Sequence, residues 1–397
     1  MSYISYAQLF EVKKMENLEV VVKNYFLDYR WNETKCKDCK KIYFTKQGYE
    51  SCGYSNCSRP VHPSERLSGK PNNVRLEVLA EELSESFQAK GYTRLKGKSI
   101  DSSITTFFIG SAIQAVDSEI YGREKYSTVP RLVIQPAIRV NVQPQVGRKL
   151  GVSTAFTSVG TERINASPKE FITDLDNWLQ FFSKISFPLT RMNFYFGDRW
   201  KGGEMSGISL TAYLGRLQIA DFVYVDAIPF NERIRSISDV GTSLERLGWI
   251  ISQVDEYFEA FNKPTTLKEF SLDQIDLIRT MTLLAGSRIS GANKGKGNIL
   301  RNFAKEYTKM GGSLRINSLV KEYYNYWSMF ASMTPTLDNT QKVMQKEMNR
   351  AFNLNILERF NMKPSRTDYT IEPDEFIDKL MKEGSLTRAQ VMRALRK

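Results

Sequence analysis

The chain has 397 residues, 41% of them hydrophobic and 25% charged, with a formal net charge of +12 and a pI near 9.3. That length accommodates two or three domains, and the composition is that of an ordinary globular protein. No apolar run reaches transmembrane length, the N-terminal MSYISYAQLFEVKK lacks a signal peptide's apolar core, and a single histidine argues against a histidine-based triad, so a cytoplasmic protein with no membrane association is expected, its positive charge favouring a polyanionic partner.

Residues 1–35 read as an amphipathic helical region that closes on FLDYRW. The chain's four cysteines follow at Cys36, Cys39, Cys52 and Cys57, spaced C-x2-C, twelve residues, then C-x4-C. Two close pairs on small turns are what a tetrahedral thiolate zinc site needs, and Gly53 supports a tight knuckle. Two disulfides or four unrelated thiols are the alternatives. A cytosolic chain argues against disulfides, and chance rarely gathers every cysteine of a chain into 22 residues. His62 reads as a surface residue or an outer neighbour of the cysteines. Residues 63–73 form a polar linker with Pro and Gly.

The segment VRLEVLAEELSESFQAK, residues 74–90, is a helix with Leu76, Leu79, Leu83 and Phe87 on one face, ending before Gly91. TTFFIGSAIQAV and RLVIQPAIRVNV read as strands rich in β-branched and aromatic residues. The second carries Arg139. After a loop comes STAFTSV, a returning strand with Phe156. An arginine and a phenylalanine facing one pocket across such a pair suit a nucleotide, the guanidinium gripping a phosphate and the ring stacking on a base. Residues 168–185 form a helix opened by Pro168, with a Leu/Trp/Phe face that reads as core. Strands follow at RMNFYFGDRW, GISLTAYL and LQIADFVYVDAI. Between the first two, Trp200 stands among Gly202, Gly203 and Gly207. These glycines either admit a small ligand close to the backbone or form a hairpin under a packed indole. In SDVGTSLERL, residues 238–247, Gly241 marks a turn and Ser243 an N-cap. Glu245 and Arg246 lie in the first turn of a helix whose apolar residues recur at Leu244, Leu247, Ile251, Val254 and Phe258. An arginine at a helix start opposes the helix dipole unless an anion sits before it; the alternative is an ordinary surface arginine.

Beyond Trp249 the pattern is helical, in ISQVDEYFEAF, LDQIDLIRTMTLLAGSR, NILRNFAKEYTKM and LVKEYYNYWSMFASM. Residues 281–320 hold Arg288, Lys294, Lys296, Arg301, Lys305, Lys309 and Arg315 against Glu306 alone, half of the chain's excess charge. Interleaved with Asn293, Asn298 and Tyr307 around a Gly-rich bend, they suit an RNA backbone; a solvated helical face is the other reading.

QPAIR followed by VGRKLGVSTAFTSV resembles motif 2 of the class II aminoacyl-tRNA synthetases, and SDVGTSLERL resembles motif 3, both in the form of the archaeal-type alanyl-tRNA synthetases. The cysteine segment resembles the small cysteine module at the start of those enzymes. Trp200 with its glycines resembles the wall of their amino-acid pocket. GANKGKGNILR and EPDEFIDKLMKEGSLTRAQVMRALRK resemble parts of their helical tRNA-recognition domain. The resemblance covers nearly the whole chain and includes no editing domain and no C-terminal oligomerisation domain.

It implies an α+β fold: a class II synthetase-like antiparallel β-sheet flanked by helices, with an N-terminal helix and zinc module at 1–70, a catalytic domain at 71–250 and an all-helical tRNA-recognition-like domain at 251–397. The implied activity is an ATP-dependent ligase that activates alanine or a close analogue as the aminoacyl-adenylate and transfers it to tRNA, with Mg2+ accompanying ATP and Zn2+ in the cysteine module. Arg139 and Arg246 are then the catalytic cations on the α- and γ-phosphates, with Arg148, Phe156 and Glu245 completing the ATP site. Trp200, Gly203, Asp221, Asp239 and Gly241 line the amino-acid site, Asp239 meeting the α-amino group. Lys294, Lys296, Arg301 and Lys305 contact tRNA, and Cys36, Cys39, Cys52 and Cys57 hold the metal. Both a monomer and a dimer are compatible with the sequence.

The departures from the family pattern carry weight too. Gly151, Val152 and Thr157 stand where the resemblance calls for an Arg-His pair and a Glu, leaving Arg148 or Lys149 to compensate. Thr211 replaces a carboxylate, and Asp221 stands where Asn or Thr is expected. A second carboxylate in a small pocket needs a partner: Arg216, Lys201, or a polar group on a substrate such as serine or a diamino acid. Two alternatives to the ligase follow, a paralogue that passes the activated amino acid to a non-tRNA acceptor or a biosynthetic pathway, and a non-catalytic tRNA-binding relative.

Overall fold

The computed structural model describes residues 18–54, 57–67, 74–365, 367–383, 387, 389 and 390. Residues 1–17 of the helical region expected at 1–35, most of the 63–73 linker and the end of the C-terminal tail lie outside the described residues, and residues 18–28 are helical. The chain divides into two compact units. One takes residues up to Gly97, Ser103–Ala137 and Phe156–Phe261; the other takes Lys98–Ser102, Ile138–Ala155 and Asn262–Lys397.

The first unit is built on a sheet of ten strands among the described residues: β1 (Asn32–Lys35), β2 (Ile42–Thr45), β3 (Thr93–Leu95), β4 (Arg131–Ile138), β5 (Ala155–Ile164), β6 (Asn193–Phe196), β7 (Trp200–Gly202), β8 (Met205–Leu214), β9 (Leu217–Ala227) and β10 (Ile237–Ser243). Their order is β1-β2-β6-β8-β9-β10-β5-β4-β3, with β7 beside β8. The central pairs β8/β9, β9/β10 and β10/β5 are antiparallel, and β3/β4 is parallel. The fold is therefore α+β, with a large, mainly antiparallel sheet flanked by helices.

Strand alternation gives this sheet two chemically different faces. Helices α1 (Leu76–Gln88) and α2 (Pro168–Lys184) belong to one of them. Ser167 starts α2 as a capping box: its hydroxyl accepts from the Glu170 amide, and the Glu170 carboxylate accepts from the Ser167 amide. Trp178 of α2 donates its indole N–H to the Thr161 hydroxyl of β5 at 2.8 Å and packs on Phe87 of α1. Asp174 accepts from Arg163 of β5 and from the Ser238 hydroxyl of β10. The other face carries Glu162, Asp239 and Asp221.

Two expected strands differ from the observed backbone. TTFFIGSAIQAV is a run of bends ending in a 3-10 turn, Ala112–Val116. All five residues of that turn are buried, and Ile113 and Val116 pack onto Val223, Val225 and Ile237 of the sheet. A short apolar run fits a buried turn as well as a buried strand. RLVIQPAIRVNV leaves the sheet at Ile138, and residues 140–145 form a 3-10 turn containing Pro144.

Helix α3 (Leu244–Ser252) ends sooner than its periodicity suggests. Gln253 turns left-handed at φ 54°, and Phe258 belongs to a separate 3-10 turn, Tyr257–Ala260. ISQVDEYFEAF is therefore not one helix.

The second unit is helical, with α4 (Pro264–Glu269), α5 (Leu272–Gly286), α6 (Gly295–Lys309), α7 (Asn317–Ser328), α8 (Leu337–Arg359) and α9 (Pro373–Lys382). Helix α5 is buried from Ile275 through Gly286. The guanidinium of its Arg279 lies 4.5 Å from the Trp327 ring of α7, a cation–π contact in the core. Helix α8 gives little sequence signal because it buries Glu347, Asn349, Asn353 and Asn355 beside its apolar residues, which blurs the stripe. Among the described residues, no helix is long and apolar enough to cross a membrane.

Candidate functional site

The sheet face opposite α2 gathers most of the expected pocket residues. In register across the strands, Thr211 of β8 opposes Asp221 of β9, Asp221 opposes Gly241 of β10, and Gly241 opposes Gly160 of β5. One step along, Val223 opposes Asp239, and Asp239 opposes Glu162. Phe156 lies on this face by alternation with Gly160 and Glu162 along β5. Gly241 is inside β10, not at a turn as its sequence context suggests. A Cβ added there would meet nothing within 4 Å, whereas one at Gly160 would lie 2.9 Å from the Ala112 Cβ. The face is thus open over Gly241 and closed over Gly160.

At the end of β10, Ser243 caps α3, its hydroxyl accepting from the Arg246 amide at 3.4 Å. Glu245 turns inward and is fully buried. Its carboxylate accepts the Thr157 amide through both oxygens, at 2.9 and 3.0 Å, and the Ser243 hydroxyl at 3.0 Å. Glu245 therefore pins β5, one residue after half-buried Phe156, to the start of α3. Arg246 is also half-buried, and its guanidinium donates to the Gln218 carbonyl at 3.1 Å. Gln218 in turn donates its side-chain amide to Asp221.

Asp221 also accepts from the Thr211 hydroxyl at 2.6 Å, so two neutral donors meet this carboxylate. Trp200 is half-buried and pairs with Gly207. Its indole lies so close over Gly202 that a Cβ there would fall 2.2 Å from Cη2. It borders the apolar cluster of Val223, Val225 and Ile237. Gly203 is exposed at the β7–β8 turn with φ 62°.

Arg139 and Arg148 belong to the second unit. Arg139 is exposed just past β4, and its amide donates to the Thr154 carbonyl at 2.9 Å. Arg148 is exposed and donates to the Pro144 carbonyl at 2.9 Å. Gly151 adopts φ 62°, while Val152 and Thr157 are buried.

The electrostatics centre on Asp239. Burial, opposed by a hydrogen bond with Glu162 and reinforced by the charge of Asp221, raises its carboxyl from 3.8 to about 7. Glu162 is pushed well above the ordinary carboxylate range by burial first and then by Asp239. Sequence reasoning missed Glu162. The available signal was its place in GTERI, on the same alternation as Phe156.

The four cysteine sulfurs lie within 4.8 Å of one another, and Cys36, Cys52 and Cys57 are buried. Cys36 Sγ stands 3.9 Å from Cys57 Sγ, and Cys39 Sγ 3.5 Å from Cys52 Sγ. Four sulfurs at about 2.3 Å from a zinc ion stand ~3.8 Å apart, close to the 3.5 and 3.9 Å pairs here, so the four thiols suit such an ion. Burial opposes ionisation of Cys36, but N–H groups at Cys39, Cys52 and Asp38 bring its thiol down to about 6. The cluster is tied to the sheet, the Cys52 carbonyl accepting from Asn193 and Tyr195 of β6. His62 caps the 3-10 turn Pro63–Arg66.

Of the basic residues, Lys294 is exposed at the N-cap of α6, and Lys296 donates to the Asp101 carbonyl at 2.9 Å. Arg301 pairs with buried Glu347 at 3.1 Å, and Lys305 with Glu358 at 2.5 Å. Tyr307 is a core residue rather than a surface one.

No family model matches the chain. The alanine–tRNA ligase of Saccharolobus islandicus (strain M.14.25 / Kamchatka #1) is 23% identical over 284 residues, covering 68% of this chain and 31% of that protein. The alanine–tRNA ligase of Korarchaeum cryptofilum is 24% identical over 236 residues (55% and 25%), and that of Methanoculleus marisnigri 26% over 257 (57% and 27%). The chain thus spans about a third or less of the length of these relatives. Pyrrolysyl-tRNA synthetase from Desulfitobacterium hafniense aligns over 49% of this chain and 74% of its own, with TM-score 0.36 and 12% identity. The chain is a distant homologue of alanine–tRNA ligases.

Proposed function

We propose that this protein is an aminoacyl-tRNA ligase of the alanine type, which activates alanine or a close analogue with ATP and transfers it to tRNA. The observation that supports this most is the single sheet face on which Gly160, Gly241, Asp239 and Asp221 stand in register, with Phe156 on the same face of β5 and Arg246 at the start of the helix that follows. A ring for a base, a glycine gap for a flat ligand and a carboxylate for an ammonium group belong together in an adenylate-forming site.

The chain needs no nucleophile of its own. The amino acid's carboxylate attacks the α-phosphorus of ATP, and pyrophosphate leaves. Asp239 holds the amino group, Phe156 stacks the adenine and Trp200 walls the small side chain. Arg246 holds the γ-phosphate and Arg139 the α-phosphate, with Mg2+ arriving on the ATP. A ribose hydroxyl at the tRNA end then attacks the adenylate carbonyl and AMP leaves. Catalysis is positioning and electrostatic stabilisation. The cysteines hold zinc as a structural ion. Lys294 and Lys296 meet the tRNA backbone, joined by Arg301 and Lys305 where their carboxylate partners allow.

Buried Val152 and Thr157 favour a second reading. They place apolar and neutral groups where the family pattern calls for charge, which suits a paralogue with another acceptor or a tRNA-binding relative without activity. ATP–pyrophosphate exchange across the amino acids, with and without tRNA, decides between them. Exchange with a small amino acid and tRNA charging are expected, both lost in Arg246→Ala and Arg139→Ala, since each deleted phosphate contact is worth on the order of 1.5–3 kcal/mol before any transition-state gain. Exchange without charging would favour another acceptor, and no exchange with any amino acid would favour the inactive relative.

A further inference from the structure

Glu162 is a carboxylate with no ordinary structural role. It is 1% exposed, and among the described residues its oxygens meet no backbone, hydroxyl, amide or cationic donor, the Asp239 carboxyl being the group hydrogen-bonded to it. Directly across the β5/β10 pair stands Asp239, 9% exposed. Residues opposed in this way hold their Cβ atoms ~5 Å apart, within reach for two carboxyl groups. Two acceptors meet favourably only around a proton. A Cβ built on Gly160 would lie 3.3 Å from Glu162 Oε1, so this oxygen lies beside Gly160, whose cross-strand neighbour is Gly241, where the face is open. The carboxyl thus lies one strand away from the opening over Gly241.

We propose that Glu162 is the second carboxyl of an ammonium subsite: in the free protein it shares one proton with Asp239, and a ligand's primary ammonium group replaces that proton and bridges both carboxylates. The inference rests on the amino-acid-activating reading and deepens it by giving the subsite two carboxylates. The proton balance is simple. The free pair carries one proton and one negative charge; the bound pair carries two negative charges against the ammonium, and one proton leaves to solvent.

The charged surroundings are consistent with one shared proton. Asp221 on β9 raises Asp239, and Asp174 on α2, behind the sheet, raises Glu162. Arg131 on β4 acts the other way on Glu162, but its guanidinium is held by Glu119 through a bidentate pair. Burial and the mutual charge of the pair remain the dominant effects, so double ionisation is disfavoured until a cation arrives.

Infrared difference spectroscopy across a pH titration of the free protein tests the pair, and calorimetry with L-alanine, L-serine and 2,3-diaminopropionate in buffers of different ionisation enthalpy tests the subsite. The expected results are a protonated carboxyl stretch that persists at pH 6, moves in frequency and in titration midpoint in Glu162→Gln, and gives way to proton release when an amino acid binds. In exchange assays Glu162→Gln should raise KM for the amino acid about 10- to 100-fold, the loss of one charge-assisted contact, with kcat little changed and a flattened pH profile. A purely structural Glu162 would move stability without moving the pH profile. No carboxyl stretch above pH 5, binding without proton release, or no binding by any of the three amino acids would each overturn the inference. Proton-releasing binding without pyrophosphate exchange would instead sink the activating reading and leave the subsite standing.

Discussion

Asp239→Asn should make the protein more stable than the wild type above neutral pH while removing amino-acid binding. The Asp239 carboxyl titrates near 7 in the fold against an ordinary 3.8. The folded state therefore holds the proton more tightly than the unfolded state, and the associated stability is complete below pH 3.8 and lost as pH rises through about 7. Between pH 5 and pH 8 the loss approaches 2.5 kcal/mol at about 1.36 kcal/mol per pKa unit, a ceiling because Glu162 shares the proton. An asparagine has no proton to lose and can donate to Glu162, so its stability curve should be flatter over that window. Urea midpoints at pH 5, 6, 7 and 8 measure the difference. Hydrogen exchange at β5 and β10 localises it to the first unit, which matters because a chain of two units does not guarantee a single two-state transition. Parallel wild-type and mutant curves from pH 5 to 8 would refute the claim that this carboxyl is protonated near neutrality.

Metal analysis of protein with intact thiols should return one zinc per chain, and Cys52→Ser should lose it; zinc-free protein with four reduced cysteines would contradict the four-sulfur site. Glu245→Ala leaves the buried Thr157 amide without its acceptor and should cost about 2–4 kcal/mol by chemical denaturation, with Glu245→Gln recovering part; a change below ~0.5 kcal/mol would show that the contact is dispensable. Lys294→Glu with Lys296→Glu should weaken tRNA binding in filter assays and reduce the salt slope by about two. Arg301→Glu should instead destabilise the helical unit by about 3 kcal/mol or more, because buried Glu347 loses its partner; unchanged thermal stability in that variant would contradict the pairing.

The sequence reveals the elements whose burial is one-sided and whose ends carry chemical markers. Helices α1 and α2 follow from the spacing of Leu76, Leu79, Leu83 and Phe87 and from Pro168, and the cysteine cluster follows from spacing alone. Less legible were the places where tertiary burial overrides local pattern. Gly241 looks like a turn, yet it is a strand glycine between Asp221 and Gly160. Residues 112–116 look like a strand, yet they pack as a buried turn. That the Glu245 carboxylate accepts the Thr157 amide and so ties β5 to the start of α3 has no signal in the sequence. Glu162 escaped notice because a lone glutamate on a strand usually faces water. Only the register with Asp239 shows that this one does not.

The cysteine cluster also has a bearing on solubility. Cys36 and Cys39 form the turn between β1 and β2, and β2 covers the outer side of β6, Phe44 opposing Phe194. What faces solvent at this margin is β1, NETK, short and carrying Glu33 and Lys35, a sequence poorly suited to recruiting another strand. What it hides is β6, NFYF, uncharged and aromatic. Oxidation or chelation that loosens the turn would expose an edge able to template pairing between chains. Damage at the thiols would then show as self-association of otherwise folded protein, well before the rest of the sheet gives way.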